Sequence, residues 1–520
     1  MSILSSRLSK ADANVSGRAK PIGVVHRPTH VDAVRQLVLA ARASQIPLYP
    51  VSRGFNWGYG SKSPVKAGGD RVDLAQMNRI LNADEISATN PVAVIEPGVT
   101  QMQLHKFLQA NCPSLTFNVT GSSQHTSILG NALDRGVGYF GPRREDLFGL
   151  EVVCGSGQVL KTGFRRLGEQ SPLAHSHPYG LGPMLDGLFF QGNFGIVTSA
   201  CFRLISRRPH EAAVSLALAR ESDLAPFINE LAKLKREGLL VSVTHVANRA
   251  RSSATLAFGI TRYLEQHCGI AGQQLEFEAN RALKIVSPGE WASLGAVIGN
   301  RGQVRAALSE ISARMGKLAR IKVVTEARLD AAYAVAHRLR AVPLARMHAA
   351  VLSAIRPLHG LALGVPTDVA VENLLWQFGR TDLAATQLDE SNCGLLFINP
   401  ALPMEGPFVA AIVQDFKLIA QQHGHELYIT LNIETASSMV AIINLLFDRS
   451  QSTQVEQAHR CADALLAHIR SKGLELYRAR ADIMEEMVAG DPAYWNTVRS
   501  LKKVFDPDNI IAPGRYNLAD

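Results

Sequence analysis

Apolar residues recur at two different periods along this chain, and the change of period divides it. Val31, Val34, Leu37, Val38 and Ala41 fall three or four apart, the spacing of one buried helix face, and Thr29 with Asp32 reads as the capping pair that opens the helix. Ile46 to Val51 and Val92 to Ile95 are short strand-like runs. Thr100 and Gln103 have capping-box form ahead of a helix carrying Leu104, Phe107 and Leu108. In LEVVCGSGQVLKTG, Leu150 to Gly163, strand residues alternate around a Gly-Ser-Gly turn, the pattern of a hairpin. After about Arg208 longer helical patterns appear, at Asp223 to Glu237, Arg301 to Met315 and Asp330 to Arg340. They interleave with strand-like segments at Leu239 to Val246 and Ser438 to Leu446. The pattern predicts an α+β N-terminal unit (1–208), an inserted α+β unit (209–474) and a tail (475–520) that rejoins the first.

Composition adds exclusions. A chain of 520 residues, 47% hydrophobic and 19% charged, is long enough for two or three domains and ordinary for a globular protein. Its longest strongly apolar run, Met439 to Phe447, is too short to cross a bilayer, and the N-terminal MSILSSRLSKADANVSG has no leader-like apolar stretch. Six cysteines without CxxC spacing suggest neither zinc site nor disulfide framework, so a reduced, cytoplasmic protein is expected. The net charge of +9 is spread in ones and twos, which predicts a basic surface favouring anionic ligands and no nucleic-acid partner. His175 and His177, or His423, His425 and Glu426, lack further ligands at sensible spacing, so no metal is expected. There is no Gly-x-Ser-x-Gly nucleophile elbow.

Candidate chemistry concentrates in three glycine-rich stretches of the first unit: PVSRGFNWGYG (Pro50 to Gly60), TGSSQHTSILGNALDRGVGYFG (Thr120 to Gly141) and DGLFFQGNFGIVTSA (Asp186 to Ala200). Glycines let backbone amides converge on an anion such as a diphosphate. Gly136, Gly138 and Gly141 match GxGxxG, but a helix-like segment precedes them and Pro142 follows, so the dinucleotide fold built on strand, turn and helix is not indicated.

These stretches, with VIEPGVT, the run ILGNALDRGVGYFGPRREDLFGLEVVCGSGQVLKTG, GPMLDGLFFQGNFGIVT and the C-terminal FDPDNIIAPGRY, occur in the order seen in the vanillyl-alcohol oxidase/p-cresol methylhydroxylase flavoproteins. The chain most resembles their 4-alkylphenol-oxidising branch, densely over residues 20–205 and 475–516 and thinly across 210–470. The resemblance implies a PCMH-type FAD-binding domain of two α+β subdomains and an α+β cap built on an antiparallel sheet. It implies FAD lying along Ser52, Arg53, Gly54, Phe55, Asn56, Trp57 and Gly58. Gly121, Gly130, Asn131, Gly136, Gly138 and Tyr139 would face that segment, with Gly195, Ile196 and Val197 beside the adenosine and Arg515 on the cofactor side. Tyr59, Tyr477 and Arg478 fall on the family's phenolate-binding tyrosines and arginine. Two phenols and a guanidinium around a substrate oxygen would stabilise its anion and push electron density toward the para carbon. Read without the resemblance, Tyr59 is a packed rim residue and Tyr477-Arg478 a surface pair of a helical segment.

Two departures stand out. Relatives carry an aspartate before the glycine turn near flavin N5. NVTGSSQHTS has none, leaving Ser123 as the nearest equivalent and His125 as a candidate acid–base group. Relatives also tether FAD through a cap histidine or tyrosine, where CGLLFINPALP offers Leu395, so non-covalent FAD is expected, with a His125 tether as the alternative.

The expected activity is oxidation of a para-substituted phenol, or a related aromatic or alcohol substrate, with oxygen or an electron-carrier protein as acceptor. The rivals are the same flavin fold oxidising a non-phenolic alcohol, amine or natural-product intermediate, and a ligand-binding protein without turnover. Relatives often form homodimers or larger assemblies.

Overall fold

The computed structural model describes residues 12–286 and 289–518, so the first eleven residues of the stretch read above for a leader lie outside it. Its first layer is a three-stranded parallel sheet in the order Val25–His26, Asp70–Asp73, Leu48–Val51. The helix Val31–Ser44 covers this sheet with Val34, Val38 and Ala41. Its N-cap is His30 rather than Thr29, because the His30 ring accepts from the Ala33 amide at 3.2 Å. The C-terminal segment closes the same core: the Leu48 amide donates to the Ile510 carbonyl, and the Ala512 amide to the Leu48 carbonyl.

A second, antiparallel sheet runs Val92–Ile95, Gly195–Arg203, Leu147–Cys154, Val159–Lys161, the last two strands forming the expected hairpin. Helices Gln101–Asn111 and Ile128–Leu133 pack on it around Ile95, Leu104, Leu129 and Phe202. Thr100 caps the first as anticipated, accepting from the Gln103 amide at 3.1 Å. The Gln103 side chain turns instead to the Asn78 carbonyl, so the box is half formed.

The third layer is an eight-stranded antiparallel sheet in the order Arg320–Val324, His210–Leu218, Trp291–Gly299, Thr244–Asn248, Tyr428–Ile433, Ser438–Asp448, Cys393–Pro403, Leu476–Arg478. Side-chain alternation gives it two faces. Leu396, Ile398, Ile429, Leu431 and Ile443 enter an apolar core under helices Leu224–Arg236, Gly406–Gln422 and Ser452–Ser471. Alternate positions, Phe397, Asn399, Thr430 and Asn432, take the opposite face. Helices Arg249–Cys268 and Pro343–Ala362 form a separate helical layer with its own core.

Three expectations shift here. The strand anticipated at Leu239 to Val246 begins at Thr244, because the Ser242 hydroxyl accepts from the Ala296 amide and holds the preceding residues as a loop. The helix expected at Asp330 to Arg340 spans Glu326–Arg338. Tyr477 and Arg478 lie on a strand, not a helix: Arg478 pairs with Asn399 at the edge of the large sheet. No described helix is long and apolar enough to cross a membrane.

Candidate functional site

A cleft opens where the first sheet, the second sheet and the Leu476–Arg478 edge strand meet. It holds about 1080 Å³ of free space, open solvent at its mouth included. The loop after strand Leu48–Val51 forms one wall, and its left-handed turn at Gly54 (φ +72°) suits glycine. Gly130 lines the opposite wall, where a Cβ would overlap the Ser52 hydroxyl. Of the residues assigned to the cofactor from sequence, Ser52, Arg53, Gly54, Phe55, Asn56, Gly130, Asn131, Gly195, Ile196, Val197 and Arg515 all line this cleft.

The others stand outside its lining. Trp57 stacks on Phe55 at 4.9 Å and donates to Asp389 at 3.1 Å. Gly58 (φ +78°) lets the chain approach the Phe397 ring. Gly136 and Gly138 make room for the side chains of Asn131 and Asn118. Tyr139, beside Gly121, packs on His245 at 4.5 Å.

Where the cleft reaches the large sheet, two candidate catalytic side chains, Arg478 and Tyr59, come together, and Tyr477 precedes Arg478 on the edge strand. The Arg478 guanidinium lies 4.1 Å from the centre of the Tyr59 ring and donates to Asn56 and Asp134. Tyr59 is buried, its hydroxyl accepting from Asn399. The Tyr477 hydroxyl is buried without a hydrogen-bond partner. Burial lifts the pKa of both phenols well above the ordinary value. Ser123 and His125 are not brought to this point. Ser123 is fully buried and donates to Asp368 at 2.6 Å, and His125 Nε2 lies 3.6 Å from the same carboxylate.

Four participants escaped the sequence reading. Asp134 sits between Arg478 and Arg515, the latter at 2.9 Å. Burial works against its carboxylate, but the two guanidiniums outweigh burial and hold its pKa below the usual value. Asp368, the N-cap residue of the helix Val369–Gln377, supplies a carboxylate to the NVTGSSQHTS loop that has none of its own. Asn399 donates to Tyr59 from the large sheet, and Glu434, just beyond strand Tyr428–Ile433, places negative charge that acts on both tyrosines. One signal was available: Thr430, Asn432 and Glu434 place polar groups at alternate positions of an otherwise apolar strand.

Residues 22–163 match the family model described as an FAD binding domain. The chain is 29% identical over 503 residues to 1'-carboxy-chondrochloren decarboxylase of Chondromyces crocatus, covering 95% of this chain and 90% of the relative. It is 24% identical over 493 residues to the 4-cresol dehydrogenase (hydroxylating) flavoprotein subunit of Pseudomonas putida, covering 94% and 87%. Substrate-bound p-cresol methylhydroxylase superposes with a TM-score of 0.79 at 22% identity, covering 98% of this chain and 92% of the other. The isoeugenol complex of 4-ethylphenol oxidase from Gulosibacter chungangensis gives 0.79 at 23%, covering 98% and 90%.

Fold and cleft thus define an FAD-dependent oxidoreductase with a PCMH-type FAD-binding domain and an antiparallel-sheet cap. The chain shares its fold with the vanillyl-alcohol oxidase/p-cresol methylhydroxylase flavoproteins and resembles them over nearly its whole length. The cleft fits FAD on its own chemistry. Among the described residues, the amides of residues 53–56 make no hydrogen bond to the rest of the backbone, and the buried Arg53 Nε has no partner. Unpaired amides beside a guanidinium are the donor set a diphosphate requires.

Proposed function

We propose that this enzyme oxidises a para-substituted phenol at the carbon attached para to the hydroxyl. One observation carries the reading: a buried, unpartnered Tyr477 hydroxyl lies on the same sheet edge as Arg478, which stacks on Tyr59. A buried donor without an acceptor implies a ligand atom, and a phenolate oxygen satisfies donors while gaining from the nearby cation. Tyr59, Tyr477 and Arg478 bind and polarise that oxygen, the loop of Ser52–Gly58 and the wall of Gly130, Asn131 and Gly195 to Val197 hold the cofactor, and Ser123 and His125 act through Asp368 on the loop between them. FAD, when bound, supplies the hydride acceptor. The FAD-binding unit (1–208), the cap (209–474) and the returning segment (475–520) divide these tasks.

The relative named a decarboxylase favours a second reading for the same site, a phenol whose para chain carries a carboxylate. Hydride loss from the benzylic carbon would give a quinone methide, and loss of CO2 from the next carbon would return its bonding pair to the ring, leaving a vinyl phenolate. Arg135 and Arg144, whose charges act on Tyr477, supply positive charge near such a carboxylate.

Anaerobic mixing of the yellow holoenzyme with a panel of 4-alkylphenols and their side-chain carboxylic acids tests both. Bleaching by the phenols supports the first reading, and CO2 release from the acids adds the second. Bleaching only by non-phenolic alcohols or amines overturns both. Acid precipitation is expected to leave FAD in the supernatant, since Leu395 stands where relatives carry the tethering cap residue and no histidine lines the cleft among the described residues. Reoxidation by air against reoxidation by a one-electron dye separates oxygen from a carrier protein as acceptor.

A further inference from the structure

Glu434 is the buried group that the preceding reading leaves without a task. It follows strand Tyr428–Ile433, its amide still bonded to the Ser438 carbonyl, and extends the polar alternation of Thr430 and Asn432. Only 4% of the residue is exposed, no ion pair holds it among the described residues, and Oε1 has no hydrogen-bond partner. Because Ile429, Leu431 and Ile433 point into the core, alternation puts Glu434 with Asn432 on the sheet face of Asn399, which donates to Tyr59, and its charge acts on Tyr59 and on Tyr477. Arg144 and Glu145, from the turn Arg143–Asp146, are the charged groups that act on it, and they oppose one another.

We propose that Glu434 is a further catalytic residue: a neutral carboxylic acid whose O–H donates a hydrogen bond to the substrate in the chamber of Tyr59 and Tyr477. This rests on the phenol reading of that chamber. A carboxylate there would repel a phenolate, whereas a carboxylic acid stabilises one without adding charge. The buried setting favours that form: burial raises the Glu434 pKa to about 8, against the attraction of Arg144. A carboxylic acid held neutral at pH 7 so that it can donate to an oxyanion is a known catalytic device. Ionisation of Glu434 then removes the donor and installs a repelling charge, which is a switch in the alkaline range.

The test is the pH profile of anaerobic flavin reduction by 4-ethylphenol. In the native holoenzyme the rate should fall about tenfold per pH unit above about pH 8, as expected for loss of one essential proton. Glu434→Gln keeps an uncharged N–H donor, so its profile should be level there although several-fold slower at pH 7. Glu434→Leu has no donor and should be slower by tenfold or more at every pH. A carboxylic-acid C=O band in the infrared spectrum of the native holoenzyme, absent in Glu434→Gln and titrating near pH 8, reports the same proton without substrate. An alkaline limb that persists in Glu434→Gln, or a native holoenzyme without that band, overturns the proposal. If 4-ethylphenol fails to reduce the native flavin, the phenol reading falls, and the infrared band still decides the state of Glu434.

Discussion

Burying Glu434 as an acid makes the fold itself sensitive to pH, and the size of the effect follows from the folded-state pKa of about 8 against the ordinary 4.5. Below pH 4.5 the residue is protonated in both folded and unfolded chains and costs nothing. Between 4.5 and 8 the folded chain keeps the proton that the unfolded chain has released, so stability falls by about 1.4 kcal/mol per pH unit. Across that window, the loss amounts to about 5 kcal/mol, and above pH 8 it stops growing. A chain of this length gains on the order of 1.1 kcal/mol per kelvin in unfolding entropy, so the loss corresponds to about 4 °C if the chain melts as one unit. Glu434→Gln is neutral throughout and escapes this term. Melting scans of the two holoproteins from pH 5 to pH 9 should therefore show the variant gaining on the native protein by about 4 °C, with the gain saturating near pH 8. A constant difference across the range would mean that Glu434 is ionised in the folded protein, and the proposed donor would be lost with it.

Two further outcomes follow from the charges around Tyr59. Asp134→Ala leaves Arg478 and Arg515 buried without their shared carboxylate and should cost about 3–5 kcal/mol, seen as a lower melting temperature or poor recovery of folded protein. A melting temperature within a degree of native would show that Asp134 does not hold the pair. Tyr477→Phe and Arg478→Ala should each slow flavin reduction at least about tenfold, the loss of roughly 1.4 kcal/mol of transition-state stabilisation. Single-turnover stopped flow at saturating phenol measures this, and native rates would remove those residues from the chemistry.

The cleft was legible because its physics is local. Backbone amides can approach an anion only where the chain itself lacks side chains, so Ser52 to Asn56 and Gly130 announce themselves as glycine-rich stretches in the sequence. Thr100 capping its helix is legible for the same reason, since donor and acceptor lie three residues apart. The ceiling of the site is written differently. Asn399 and Tyr477 come from two strands and Glu434 from just beyond a third, and no local pattern connects the three. Asp368 lies 245 residues from Ser123, so a loop that looks short of a carboxylate receives one from a helix cap no local pattern connects to it. Tyr477-Arg478 was recognisable by resemblance, while its place on a strand depended on pairing with Asn399.

The charge balance around Arg478 explains why the two halves of the site need opposite devices. Arg478 and Arg515 share the single carboxylate of Asp134, which leaves one positive charge uncompensated within that buried group. The unpartnered Arg53 Nε adds to it at the far wall of the cleft. A region this short of negative charge gains by taking up an anion, and the same deficit favours phenolate over phenol beside Tyr59. An ionised glutamate in the chamber would satisfy that deficit internally and compete with the ligand. Glu434 avoids the competition by staying uncharged, with Arg144 offset by Glu145 rather than bonded to the carboxyl. The chamber can then keep a polar ceiling while its positive potential is reserved for the substrate oxygen. Replacing Arg144 by glutamine removes the attraction that opposes burial, so it should move the alkaline limb to higher pH. Replacing Glu145 by glutamine should move it lower, and the absence of both shifts when Glu434 is already glutamine would locate the titrating group at Glu434.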